Sequence, residues 1–229
     1  MAITTYTELK TAVADWLNRD DLTSSIPTFI ALAEAGMERV LRTRNMLVRA
    51  TATIDTQYST VPADFLEIRT IKLLTNPVQP LTFQTKDMLD EIDAQRGTGG
   101  GKPLDFTVAG NQIRVSPAPD GEYTAELDYY ARLDKLSDSV STNWILASHP
   151  DAYLYGSLIH SAPYLKDDER AGVWSTLYAT AVQSIQQADE RAATTGGALK
   201  VRTNSFGVRS VSLLFAGAWE LWRYAGRQR

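Results

Sequence analysis

Between Thr5 and Leu41 the apolar residues recur at three- and four-residue steps, the period of a helix with one buried face. Thr5 with Glu8 forms a capping-box pattern, and Tyr6, Leu9, Val13, Trp16 and Leu17 mark one face of a helix ending near Asn18. After the polar turn Arg19 to Ser25, Pro27 opens a second helix with the seam Phe29, Ile30, Ala33, Met37, Val40 and Leu41, ending near Arg44. The same period returns late in the chain. Pro150 suits a first helical position, where its missing N–H has no partner to lose, so a helix is expected from near His149. Leu154, Tyr155, Leu158, Ile159 and Ala162 follow on one face until Pro163 breaks the pattern. Asp167, Asp168 and Glu169 then stand where a helix start favours negative charge. The seam behind them is Val173, Trp174, Leu177, Tyr178, Ala181, Ile185 and Ala188, in a helix running to about Ala193. These last two helices should fold back on each other as an αα-hairpin.

The period changes at Met46. Leu47 to Ile54 alternates and is rich in β-branched residues, and Pro62-Ala63-Asp64 separates it from Phe65 to Leu74, so two strands are expected. Thr85 caps a short helix, KDMLDEIDAQ, ahead of the glycine-rich stretch Gly97 to Gly101. Phe106 to Ala109 and Gln112 to Ser116 flank Gly110-Asn111, a two-residue hairpin signal with φ > 0 expected at both turn positions. Tyr123, Ala125, Leu127, Tyr129 and Ala131 alternate in a further strand. The expected fold is α+β: a four-helix bundle built from the N- and C-terminal helix pairs, a small antiparallel β-sheet region inserted between them, and an extended C-terminal tail. The boundaries are 1–45 and 136–196 for the two parts of the bundle, 46–135 for the insertion and 197–229 for the arm.

Composition narrows the chemistry. The chain has no cysteine, which excludes disulfides, thiolate metal sites and a cysteine nucleophile. Its start lacks a basic and then apolar leader pattern, and its longest uncharged stretch, Ala152 to Leu165, is too short for a membrane span, so a soluble protein made in the cytoplasm is expected. A net charge of −4 leaves no basic footprint for wrapping nucleic acid over the whole surface.

Four local patterns invite chemistry. Gly97 to Lys102, GTGGGK, resembles a phosphate loop, but Arg96 stands where the first glycine belongs, Pro103 replaces the metal-binding hydroxyl, and a helix precedes it. A plain or mobile loop fits better. Ser157 and His160 share a helix face with Asp151 two turns back, a nucleophile–base spacing that equally suits helix packing. Asp87, Asp90, Glu91 and Asp93 supply carboxylates of the kind a cell-wall hydrolase uses, and equally a solvated helix face. Arg39, Arg42, Arg44 and Arg49 form a basic strip open to DNA contact, although Glu34 and Glu38 one turn back favour ion pairs within the helix and between subunits. No cofactor is implied by any of these.

Beyond Gly196-Gly197 the composition shifts again. Lys200, Arg202, Arg209, Arg223, Arg227 and Arg229 face Glu220 alone and are interleaved with Phe206, Phe215, Trp219, Trp222 and Tyr224. Such a segment either packs on its own domain or is an arm that orders on a partner, where aromatic and arginine anchors carry disproportionate binding energy.

Two long stretches resemble a known family. YTELKTAVADWLNRDDLTSSIPTFIALAEAGMERVLR at Tyr6 to Arg42 and NWILASHPDAYLYGSLIHSAPYLKDDERAGVW at Asn143 to Trp174 look like the head-to-tail adaptor (connector) proteins of tailed bacteriophages, particularly those related to tail tubular protein A. DWLNR with IP..I.LAE, and HPD.YLYG with APYLKDDER, carry the resemblance, which covers about residues 5 to 195. It implies a helical bundle with an inserted β region, a ring of twelve copies below the portal protein, tail nozzle or fibre proteins beneath, genomic DNA passing through a channel, and no catalysis. Arg202, Phe206, Arg209, Phe215, Trp219, Trp222 and Arg223 are then the expected portal or neighbour contacts, and Arg39, Arg42 and Arg44 the expected subunit contacts. The two other readings, a virion-associated cell-wall hydrolase and a DNA-binding module, rest on the acidic helix and on the Arg39 to Arg49 strip with the tail.

Overall fold

Six helices and two four-stranded sheets make up the described part of the chain, a computed structural model that describes residues 2–97, 99–165 and 168–193. In chain order they are α1 (Tyr6–Leu17), α2 (Ile26–Val40), a 3-10 turn at Arg44–Met46, β1 (Leu47–Ile54), β2 (Tyr58–Thr60), β3 (Phe65–Leu73), β4 (Gln79–Pro80) and β5 (Thr82–Phe83). Then come α3 (Lys86–Arg96), β6 (Asp105–Ala109), β7 (Gln112–Ser116), β8 (Tyr123–Ala131), α4 (Trp144–Ser148), α5 (Pro150–Leu165) and α6 (Asp168–Ala193).

Local chemistry sets the element ends. The Glu8 N–H donates to Thr5 Oγ1 at 3.3 Å while the Thr5 N–H donates to Glu8 Oε2 at 3.0 Å, the reciprocal box that starts α1. Asn18 closes that helix in the left-handed region at φ 51°. Thr85 Oγ1 accepts from the Met88 N–H to start α3, and Asn143 Oδ1 accepts from the Leu146 N–H at 3.0 Å to start α4. In the β6–β7 hairpin only Gly110 has φ > 0, at 61°, and Asn111 does not. One positive position therefore suffices, as in turns with glycine first.

The α+β class stands, but the four-helix bundle with one small antiparallel sheet does not. One sheet runs β1-β8-β3-β4 and a second β2-β7-β6-β5, the latter with a parallel β5–β6 pair. The β6–β7 hairpin is legible in sequence, but β2 and β5, of three and two residues, are too short to show a period, so its growth into a separate second sheet was not. The helices also depart from the bundle. Ala152, Tyr153, Leu154, Gly156, Ser157, Leu158, Ser161 and Ala162 of α5 are all buried, which wraps most of the helix circumference in protein. A bundle member shows one stripe; α5 is instead a central helix on which α1, α2, α4 and α6 pack. It also runs through Pro163 to Leu165, because a proline near the last turn removes only one ladder bond. Val40 and Val173, assigned to seams by their spacing, are exposed, and Val182 takes a core place on α6 instead.

Two apolar cores result. The helical one gathers Leu9, Val13, Ile30, Met37, Ile145, Tyr153, Leu158 and Trp174, among others. The other lies among the strands, with Ile54, Ile71, Leu73, Phe106, Val115, Leu127 and Tyr129. β8 serves both. Its Ala125, Leu127, Tyr129 and Ala131 belong to the strand core, while Tyr130, on the opposite face, packs against the helical one.

Candidate assembly surfaces

The arginine strip is engaged inside the chain. Arg39 is exposed, and its Nε donates to the Ala35 carbonyl at 2.9 Å. Arg42 Nε meets Glu67 Oε2 of β3 at 2.7 Å, and its Nη1 donates to the carbonyls of Glu38 and Leu41. Arg44 reaches α6: its Nε and its backbone N–H both donate to Asp189 Oδ1 at 3.0 Å, and its Nη1 to the Ala192 carbonyl at 2.8 Å. Arg49 Nη1 lies 3.7 Å from Glu126 Oε2, whose other oxygen takes Lys72 Nζ at 2.5 Å. The strip thus ties the end of α2 to a strand and to the last helix.

Glu34 is not a partner for these arginines. It is buried, and its Oε1 accepts from the Leu136 N–H at 2.8 Å and from Tyr153 Oη at 3.1 Å. Asn143 Nδ2 donates to the Tyr153 oxygen at 2.6 Å and lies 2.9 Å from the Asp134 carbonyl. Burial pushes the Glu34 carboxyl and the Tyr153 phenol above their ordinary pKa values. The signal was present in the sequence, since Glu34 falls four residues after Ile30 and three before Met37, on the seam itself.

The carboxylates of α3 are likewise occupied. Arg114 of β7 holds both Asp90 and Asp93, the latter at 2.6 Å, and Asp93 also accepts from the Ser116 hydroxyl. The Arg114 guanidinium beside it holds the Asp90 carboxyl below the usual range, chiefly through its hydrogen bond. Arg96 adds bonds to Asp105 at 2.8 Å and to Ser116 at 3.2 Å. Asp90 and Asp93 thus dock α3 on the second sheet, whereas Asp87 and Glu91 are exposed and do not converge with them. Ser157 is buried and donates to its own helix, at the Tyr153 carbonyl 2.8 Å away, so no nucleophile–base pair with His160 forms. His160 is half-buried, and burial with the nearby Arg39 charge lowers its pKa.

The glycine stretch is fastened at its end. The Gly101 N–H donates to the Ala118 carbonyl at 2.8 Å, and Lys102 Nζ to Thr75 Oγ1 at 2.8 Å. Gly97 and Gly99 line a cleft of about 410 Å³ with Asp93, Gln57 and Pro117. Among the described residues no group of three or more histidines and acids is placed to hold a metal ion, and no helix is long and apolar enough to cross a membrane.

Open surfaces lie elsewhere. β1 is an edge strand whose eight residues pair with β8 without a register shift. An apolar cleft of about 240 Å³ runs beside it, lined by Ala50, Ala52, Ile54, Val61 and Ile113. At the helical end, the exposed Trp16 ring stands 5.9 Å from Tyr155, and the exposed Tyr164 ring 5.6 Å from Phe29. Arg202, Phe206, Arg209, Phe215, Trp219, Trp222 and Arg223 lie outside the described residues.

The model of the SU10 adaptor protein family matches residues 4–202, all of α1 to α6 and the sheets between them. The chain belongs to the SU10 adaptor protein family. Membership makes it a structural adaptor protein of a bacteriophage, placed at the virion neck, in agreement with the head-to-tail adaptor resemblance of the Tyr6 to Arg42 and Asn143 to Trp174 stretches. The role such an SU10-family adaptor implies is structural rather than enzymatic. No curated protein sequence matches the chain.

Proposed function

We propose that this adaptor joins the portal to the tail: copies form a ring, twelve of them as the resemblance implies, against the portal protein, with tail nozzle or fibre proteins beneath and genomic DNA passing through the centre. The observation that carries the reading is the family match across both cores, from residue 4 to residue 202. A net charge of −4 supports it, since like charge limits sticking of DNA in a channel that reads no sequence. In this reading the basic and aromatic segment around Arg202, Phe206, Arg209, Phe215, Trp219, Trp222 and Arg223 contacts the portal or a neighbouring subunit. Arg39, Arg42 and Arg44 border a subunit contact in which their intrachain pairs hold the α2 end in shape. A head-to-tail ring needs two different complementary faces on each copy.

The test is mass measurement of the full chain and of a chain ending at Gly196, each with and without portal protein. The full chain is expected to add as a multimer to the portal and the shortened one to bind far less. Undiminished portal binding by the shortened chain removes the arm, and a single copy per portal removes the ring.

A further inference from the structure

An unpaired strand edge is a template for another strand, and proteins protect such edges with prolines, bulges or rows of charge. β1 carries none of these: Leu47–Ile54 has no proline, no register shift against β8, and Arg49 as its single charge. The same sheet has a second open stretch on its opposite side. β4 covers β3 at Lys72 and Leu73, and the Leu81 N–H reaches the Ile71 carbonyl, which among the described residues leaves the outer side of Leu66 to Thr70 without backbone partners.

We propose that β1 of one copy adds to the outer edge of β3 in the next copy, joining neighbouring sheets by main-chain hydrogen bonds. This rests on the ring reading above and names the joint that reading leaves open. Four observations identify the occupant as a second copy. β1 and β3 are each antiparallel to β8, so they run in the same direction, and a head-to-tail step that preserves direction brings them together as a parallel pair. Their faces match. Ala50, opposite Leu127, and Ile68, opposite Tyr129, both stand on the strand-core side, where the cleft beside β1 has room for an aliphatic side chain. On the other side stand exposed Arg49, opposite Asp128, and exposed Glu67, opposite Tyr130, one pleat apart and of opposite sign. Finally, two β1 strands paired about a two-fold axis leave the β3 edge open, whereas the head-to-tail joint covers both. The register shifts of β3 near Glu67 and Thr70 bend that edge and interrupt pairing along it, so the added ladder is short.

The absence of cysteine makes the test clean. Thr51→Cys and Thr70→Cys are introduced singly and together, assembled on portal protein, oxidised mildly and separated under denaturing, non-reducing conditions. The double variant is expected to give a ladder of multimers and each single variant monomers only. Dimers from Thr51→Cys alone mean a two-fold β1 joint and overturn the proposal. Monomers from a double variant present at full copy number overturn the joint while leaving the ring. One copy per portal removes the ring reading and the joint with it. Hydrogen exchange on the unaltered chain gives a second readout: amides of 47–54 and 66–70 are expected to exchange at least about tenfold more slowly in the portal assembly than in the isolated chain. Unchanged exchange in both stretches of a multicopy assembly overturns the joint.

Discussion

The Tyr153 hydroxyl donates to the Glu34 carboxylate across 3.1 Å, joining α5 to α2 inside the helical core. Asn143 extends the link to the chain ahead of α4. A buried carboxylate with a phenol and a backbone N–H as partners depends on both, because burial raises the cost of each missing bond. Tyr153→Phe removes the donor to Glu34 and the acceptor for Asn143, and is expected to lower stability by about 1–3 kcal/mol in denaturant titration. A loss within experimental error would show that water replaces the hydroxyl.

The same site sets a pH dependence. Burial raises the Glu34 carboxyl above its ordinary value of about 4.5, so the folded chain holds that proton over a range in which the unfolded chain has released it. The contribution of Glu34 is therefore complete below the ordinary value and is lost as pH rises through the raised one. Glu34→Gln is expected to flatten this part of the curve of denaturation midpoint against pH. Parallel curves for the two proteins would contradict the raised carboxyl.

Two glycines in neighbouring helices should answer oppositely to substitution. A Cβ on Gly156 would stand 3.0 Å from Ala33 Cβ of α2 and 3.1 Å from Tyr178 Cε2 of α6, whereas one on Gly172 meets nothing within 4 Å. Gly156→Leu is expected to cost about 1–3 kcal/mol or more by overpacking, and Gly172→Ala to add about 0.5–1 kcal/mol through backbone entropy and helix propensity. Thermal melts of the two variants check both signs.

Arg114 holds Asp90 and Asp93 and so fixes α3 on the second sheet. Its side chain is largely buried, and Arg114→Met leaves Asp93 short of a charged donor beside Ser116. A loss of about 1–3 kcal/mol is expected, with faster hydrogen exchange concentrated in Lys86–Arg96. Faster exchange spread evenly over both sheets would mean that Arg114 supports the strand core rather than the helix.

Arg44 gives a smaller effect by the same kind of reasoning. Its bonds to Asp189 and to the Ala192 carbonyl are half-exposed, so Arg44→Ala should change global stability by less than about 1 kcal/mol. Exchange in the last turn of α6 should nevertheless quicken. An unaltered last turn would show that the helix end is held from elsewhere.

Sequence determines local structure most directly where one residue's chemistry decides the outcome. Thr5 with Glu8, Thr85 and Pro150 mark helix starts because a cap or a fixed φ acts over three or four residues. Leu47–Ile54 and Tyr123–Ala131 are long enough for alternation to show. What the pattern missed depends on tertiary surroundings. β4 and β5 have two residues each and exist only through their neighbours, and the near-complete burial of α5 hides the stripe by which a bundle is recognised. The arginine strip shows the same limit for the site. Spacing paired Arg42 with Glu38 and its neighbours one turn back, whereas the fold brings in Glu67 from twenty-five positions along the chain, and Asp189 reaches Arg44 from a distance no periodicity records.

The position of β8 has a mechanical consequence. One strand forms part of the lining of both apolar compartments, with β1 hydrogen-bonded along one flank and β3 along the other. Lifting the helices off the sheet would expose Tyr130, whereas pulling β8 out of the sheet would expose Tyr129 and strip two ladders at once. Removing β8 therefore costs the helical and the strand compartments a wall at the same time.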